Sequence, residues 1–276
     1  MNAPGVERLM PTALAADHAP FRPGPKGTHI TIRGLCKSFG GQPLYTNFDL
    51  DLPRDKLISV FGPNGCGKST LINMVAGLLP IDAGEVLFDG KTLRQTTIGY
   101  VFQNYREALF PWKRAIDNIR YPLQRARMPR GEIDARVDEV VQSFDVKFDL
   151  ARYPYELSGG QQQLVSIMRA LAPKPEVLFL DEPFSALDYE MTLFMRDKLQ
   201  EVFVHSPVTT VLVSHDLEEA VYLADEILLL TRRPTRIAER IAFDAPRPRT
   251  PATMSEERFV HTKAVCLEIF QQEVRR

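Results

Sequence analysis

Residues 58 to 70 read ISVFGPNGCGKST, an apolar run that enters a glycine-rich loop which in turn opens a helical pattern. The loop matches G-x-x-x-x-G-K-[ST] in full, in the strand–loop–helix setting that the motif needs. Gly62, Gly65 and Gly67 let backbone N–H groups approach phosphate oxygens, with Pro63, Asn64, Cys66 and Thr70 completing the loop. Lys68 is placed to neutralise the outer phosphates, and the Ser69 hydroxyl to ligate Mg²⁺. Cys66 stands at a variable position of the motif and carries no redox role.

Three further apolar runs follow the one at 58–61: VLFL at 177–180, VLV at 211–213 and ILLL at 227–230. Runs buried on both faces and separated by helical patterns predict a mostly parallel sheet in an α/β layer fold. Leu71, Ile72, Val75, Leu78 and Leu79 recur at helical spacing after the loop, as do Leu164, Ile167, Met168 and Leu171 after LSGG. The β-rich stretches HITIRGL and NFDLDL predict an N-terminal antiparallel region. Between about 104 and 170 the strand runs vanish, which predicts an inserted helical subdomain.

Residues 1–26, with five prolines and little periodicity, read as a disordered extension. The body spans 27–244; APRPRTP at 245–251 reads as a hinge before a C-terminal helix at about 254–274. At 44% hydrophobic and 25% charged, with a net charge of −1, the 276-residue chain lacks the basic footprint of a nucleic-acid binder. Its three cysteines have no metal or disulfide spacing, and no apolar run approaches the length that spans a bilayer.

A second anion cradle lies downstream at LSGGQ, where Ser158, Gly159, Gly160 and Gln161 open a helix. VLFLDEP sets Asp181 and Glu182 at the tip of a buried strand, Asp181 to hold Mg²⁺ indirectly and Glu182 to polarise an attacking water. His215, in VLVSHD, follows another strand and is placed to bond a phosphate or the water; Gln103, in GYVFQN, offers an amide to Mg²⁺.

The order and spacing of the P-loop, Gln103, LSGGQ, LFLDEP, SALD and SHD resemble the ATP-binding cassette ATPases over about residues 28–240. That resemblance implies ATP and Mg²⁺ as cofactors and a head-to-tail dimer, each ATP lying between one copy's P-loop and the other's Ser158–Gly160. It also implies Phe39 as an adenine platform, Asp188 as a dimer contact, Glu182 as the catalytic carboxylate, His215 as the switch histidine, and Gln163 facing along its helix.

The segment LFPW at 109–112, followed at fixed distance by Asn118, resembles the ATPase subunits of nitrate, sulfonate and taurine importers. It implies transmembrane permease partners, a solute-binding protein beyond them, and a peripheral place on the cytoplasmic face of the inner membrane. Leu109, Phe110 and Trp112 then form a displayed patch that grips the permease. The residues after the hinge are too few for an added regulatory domain of about 100 residues. An exporter or lipid-extraction ATPase, or a soluble cassette acting on DNA or ribosomes, are the competing readings. The first is disfavoured by LFPW, and the second by a single cassette without sustained heptads.

Overall fold

The computed structural model describes residues 27–104, 108–185 and 187–275; the extension expected at 1–26 lies outside the described residues. Two long strands, β1 (Thr28–Phe39) and β2 (Gln42–Pro53), form a hairpin turned by Gly40 and Gly41, both at positive φ. With β4 (Ala83–Phe88) on the far side of β1 they make the expected antiparallel sheet, in the order β2-β1-β4.

The second sheet runs β5-β6-β7-β3-β8-β9. Its strands are β3 (Leu57–Phe61), β5 (Ile98–Val101), β6 (Val177–Asp181), β7 (Thr209–Val213), β8 (Glu226–Leu230) and β9 (Ile237–Ala242). All pairings are parallel except that of β8 with β9. Every residue of β3, β6 and β7 is buried, as runs covered on both faces require. Register then sets the chemistry: Asp181 pairs with Val213, and Val213 with Val60. Three parallel strands therefore deliver the P-loop, the acidic pair and the His215 loop to one edge, where open α/β sheets hold ligands.

Among the described residues the α-helices are α1 (Lys68–Val75), α2 (Ala115–Arg125), α3 (Arg130–Ser143), α4 (Gly159–Leu171), α5 (Tyr189–His205), α6 (Leu217–Leu223) and α7 (Glu257–Arg275). One core fills the space between the two sheets and α1, with Ile30, Ile32, Ile58, Val60, Leu71, Phe179 and Val211 buried. A second joins the parallel sheet to the helical insertion through Ile119, Leu123, Val137, Phe144, Leu164, Ile167 and Leu180.

The stretch read as a hinge is pinned to the body. The Arg249 side chain is buried and donates to the carbonyls of Val221, Tyr222, Ala224, Phe243 and Ala245, while its own backbone pairs with the Gln200 amide. Burial pushes its pKa down to about 10, still well above neutrality. The guanidinium thus replaces secondary structure as the partner of carbonyls that the turn leaves open. Beyond this strap α7 packs on the same body: Phe270 lies 5.2 Å from Phe61 at the end of β3, and Lys263 pairs with Glu218 of α6.

Candidate nucleotide site

The P-loop is shaped by glycine where no other residue fits. Gly65 and Gly67 hold φ of 74° and 103°; a Cβ on Gly62 would lie 2.8 Å from the Leu230 carbonyl oxygen, and one on Gly67 2.9 Å from Leu44. The loop's outward carbonyls are taken up by the chain itself: Tyr45 Oη donates to Gly67 at 3.1 Å, Arg233 Nε to Gly65 at 2.7 Å, and Thr235 Oγ1 to Cys66. Helix α1 starts at Lys68 with no side chain capping it, so its first N–H groups are available to an anion. Lys68 Nζ folds over the loop, 2.9 Å from the Gly62 carbonyl oxygen and 3.2 Å from that of Pro63. Cys66 is buried, and burial raises its thiol pKa, which keeps it protonated and unreactive.

Ser69 Oγ donates to Asp181 Oδ1 at 2.8 Å, so the hydroxyl and carboxylate expected around Mg²⁺ already touch. With the amide oxygen of Gln103 they form a hard oxygen donor set that suits this ion. Tyr100 Oη sits 3.4 Å from the other Asp181 oxygen and donates to Asn73 at 2.7 Å. Burial holds the Asp181 pKa above the usual carboxylate range against the Ser69 hydrogen bond, and the neighbouring Glu182 charge adds to the rise.

Glu182 takes a left-handed φ of 45°, uncommon for a side chain of this size, and its N–H donates to the Val213 carbonyl at 2.9 Å. Strain of this kind persists where the surroundings enforce it, commonly at working sites. Its Oε2 accepts from Gln103 Nε2 at 2.8 Å and lies 3.3 Å from His215 Nδ1. Three residues singled out separately in the sequence thus meet at one carboxylate oxygen.

LSGGQ is placed differently. Ser158 caps α4, its Oγ accepting from the Gln161 N–H at 3.3 Å while its own N–H donates to Gln161 Oε1 at 3.0 Å. The Gln161 side-chain oxygen therefore serves the helix cap. Ser158 is exposed, and a Cβ on Gly160 would fall 2.6 Å from Met191 Cγ, so that glycine also lets α4 approach α5. Asp188 caps α5 by accepting from the Met191 N–H at 2.8 Å and lines a groove together with Gln161. The cavity over the P-loop, about 870 Å³, is lined by Gly62–Cys66, His215, Arg232, Arg233, Phe270 and Val274, and no part of LSGGQ borders it.

Two expectations are corrected. Gln163 does not face along the helix: it is buried, and its Nε2 donates to the Pro183 carbonyl at 2.6 Å. Residues 163–168 of α4 are all buried, so position 163 points inward and ties this helix to the DEP loop. In the LFPW patch, Trp112 is 71% exposed, but Leu109 is buried and belongs to the core. Trp112 stands 5.4 Å from Phe110, which meets Tyr121 edge-on at 4.8 Å. The distant Asn118 explains its own spacing: its buried amide accepts from the Phe110 N–H and donates to the carbonyls of Phe110, Lys113 and Arg114, holding the loop rigid.

Phe39 ends β1 opposite Gln42 and is 45% exposed, with Lys37 Nζ 5.4 Å from its ring centre. The same hairpin rests against the P-loop through Leu44 and Tyr45, at Gly67. The segment 231–235 went unremarked in the sequence, although Arg233 and Thr235 both clip the P-loop from outside.

A P-loop, an acidic strand tip, a glutamine and a histidine converging on it, and a remote glycine-rich helix start on one α/β body define an ATP-binding cassette. The chain belongs to the ABC transporter family, whose pattern it matches over residues 45–185. It is 40% identical over 210 residues to the sulfate/thiosulfate import ATP-binding protein of Neisseria meningitidis, covering 73% of this chain and 58% of that one. It is 38% identical over 206 residues to the spermidine/putrescine import ATP-binding protein of Aliivibrio fischeri, covering 73% and 55%. The chain thus spans little more than half the length of these relatives. Among solved structures it resembles a dimeric post-hydrolysis ATP-binding cassette bound to ADP and Pi, with a TM-score of 0.68 and 28% identity over 79% of this chain and all of that one.

Proposed function

We propose that the chain is the ATP-hydrolysing subunit of a membrane importer and works as a head-to-tail pair of copies. The observation that carries the reading is the Glu182 carboxylate, held by Gln103 and His215 beside the Ser69–Asp181 pair. Lys68 and the amides of the P-loop bind the triphosphate, and Phe39 stacks on its base. Ser69 and Gln103, with Asp181 behind them, would hold Mg²⁺, which would supply charge neutralisation at the outer phosphates. Glu182 accepts a proton from the attacking water, and His215 and Gln103 keep its oxygen in place. Ser158, Gly159 and Gly160 of the second copy close over the γ-phosphate, and Asp188 lies at that contact.

Import is supported by the names of the relatives, and membrane attachment through a permease by the exposed Trp112. No helix among the described residues is long and apolar enough to cross a membrane. Because relatives of this similarity serve a divalent anion in one case and a polycation in another, the cassette body does not select the solute. The LFPW segment alone favours nitrate, a sulfonate or taurine, delivered by a solute-binding protein to a permease whose cytoplasmic face this subunit occupies. Growth of a deletion strain on single nitrogen and sulfur sources tests that assignment.

The catalytic assignment is tested by Glu182→Gln. Turnover should fall about 10²–10⁴-fold while ATP affinity changes little, since the cationic contacts stay. Hydrolysis near the wild-type rate would overturn it.

A further inference from the structure

We propose that His29, Asp89 and Glu176 form a binding site for a divalent transition-metal ion such as Zn²⁺, separate from the nucleotide. Their ligand atoms lie within 4.8 Å of one another. Three elements converge to place them. The Asp89 N–H donates to the His29 carbonyl at 2.8 Å, which continues the β1–β4 ladder and fixes these two residues side by side. Glu176 directly precedes β6, whose first residue, Val177, is in register with Thr209 of β7. Thr209 Oγ1 in turn sits 2.6 Å from His29 Nδ1 and accepts from the Asp55 N–H at 2.8 Å, so the imidazole is held from behind.

The ring is 1% exposed, yet among the described residues its Nε2 has no hydrogen-bond partner, and it points at the acids, 3.6 Å from Asp89 Oδ2. A buried ring nitrogen left unpaired is costly and needs an explanation. In the tautomer whose Nδ1–H donates to Thr209 Oγ1, Nε2 presents a lone pair, the arrangement in which a ligating imidazole is oriented by a bond on its other nitrogen. Asp89 also pairs with Arg54 through Oδ2, which leaves Oδ1 for a cation; Glu176 Oε1 accepts from the Thr97 N–H at 3.1 Å, which leaves Oε2.

One nitrogen and two carboxylates suit Zn²⁺, whereas Mg²⁺ and Ca²⁺ favour all-oxygen shells. Metal bonds of about 2.0–2.2 Å put ligand atoms no more than about 4.4 Å apart. Side-chain rotation of the two acids, which lie nearer to solvent than the histidine, closes the difference. The three residues lie at the edge where β6 and β7 begin, a strand length of about 16 Å from the edge that carries the P-loop. The ion would brace the antiparallel sheet against the parallel one.

The test uses the full chain, stripped of metal, titrated with Zn²⁺ by calorimetry and with Co²⁺ by visible absorption. One equivalent should bind, raise the melting temperature, and give a Co²⁺ spectrum without the intense thiolate charge-transfer band that the cysteines would produce. His29→Gln should weaken binding at least about 100-fold and Glu176→Gln at least about 10-fold, with Mg²⁺-ATP hydrolysis unchanged in both. Melting curves of the metal-free variants check folding, and Glu176→Gln keeps the test open if His29→Gln does not fold. No binding to the wild type, or binding retained in a folded variant of either kind, would overturn the proposal and leave His29 and Asp89 as a simple long ion pair.

Discussion

The two glycine-rich helix starts of this chain differ in what surrounds them. The P-loop is held on every side by its own chain: Tyr45, Arg233 and Thr235 take its carbonyls, Leu44 and Leu230 press on its glycines, and Ser69 is tied to Asp181. LSGGQ is supported only from behind, by its capping box and by the packing of Gly160 on Met191, and its serine faces solvent. One cradle is complete within the chain. The other faces solvent, and under the proposed function its occupant is the nucleotide of a second copy; Gln163 connects it through Pro183 to the loop that carries Glu182.

That contrast is broken most severely at Ser158. Ser158→Arg should leave ATP binding to the isolated chain within about twofold and lower hydrolysis about 10²–10³-fold, by filling the cradle that serves the other copy's phosphate. Parallel measurements of nucleotide affinity and steady-state ATPase check it. Loss of binding in the monomer would mean that LSGGQ belongs to the chain's own site.

Next in size is the effect at the exposed Trp112 loop. Trp112→Ala should keep its melting temperature, because truncation at a 71% exposed position changes stability by no more than about 0.5 kcal/mol. It should also keep basal ATPase. Pull-down with the permease should weaken by about 2 kcal/mol, roughly thirtyfold, if this ring anchors the contact. A destabilised protein, or a stable one that binds the permease normally, contradicts the assignment.

The smallest effect sharpens the other half of the comparison, since a self-contained site carries its own strain. Asp181 has a folded pKa raised by burial. Its contribution to stability is fully present below the unfolded value of about 3.9 and is lost as pH rises through the folded value. Asp181→Asn should therefore raise the nucleotide-free melting temperature at pH 8 by about 2–4 °C for each kcal/mol recovered, with no gain near pH 4, while Mg²⁺-dependent turnover disappears. Melting curves across this range, set beside ATPase assays, decide it. An equal gain at both pH values would mean that the buried charge is not the cause.

Much of this was legible in the sequence because the site is written in short local motifs. ISVFGPNGCGKST, VLFLDEP and VLVSHD each place a polar residue straight after a buried strand, and parallel register does the rest. What stayed hidden depended on long-range packing. Nothing in QQQ distinguishes the buried Gln163 from its neighbours, and an arginine within APRPRTP reads as exposed until its carbonyl partners from α6 and the end of β9 are known. Leu109 looked like part of a displayed patch because Pro111 does restrict the loop, yet the side chains before and after it go opposite ways. The Asn118 clamp, visible only as a spacing, has its reason in three carbonyls and one N–H of the LFPW loop.

The central claim is that the two cradles meet only between copies, and one measurement addresses it directly. Sedimentation of Glu182→Gln with Mg²⁺-ATP should show a dimer holding one nucleotide per chain. Adding Ser158→Arg to the same variant should leave a monomer near 31.3 kDa that still holds its nucleotide. A dimer that survives the second substitution, or a monomer that has lost its ATP, would contradict the account.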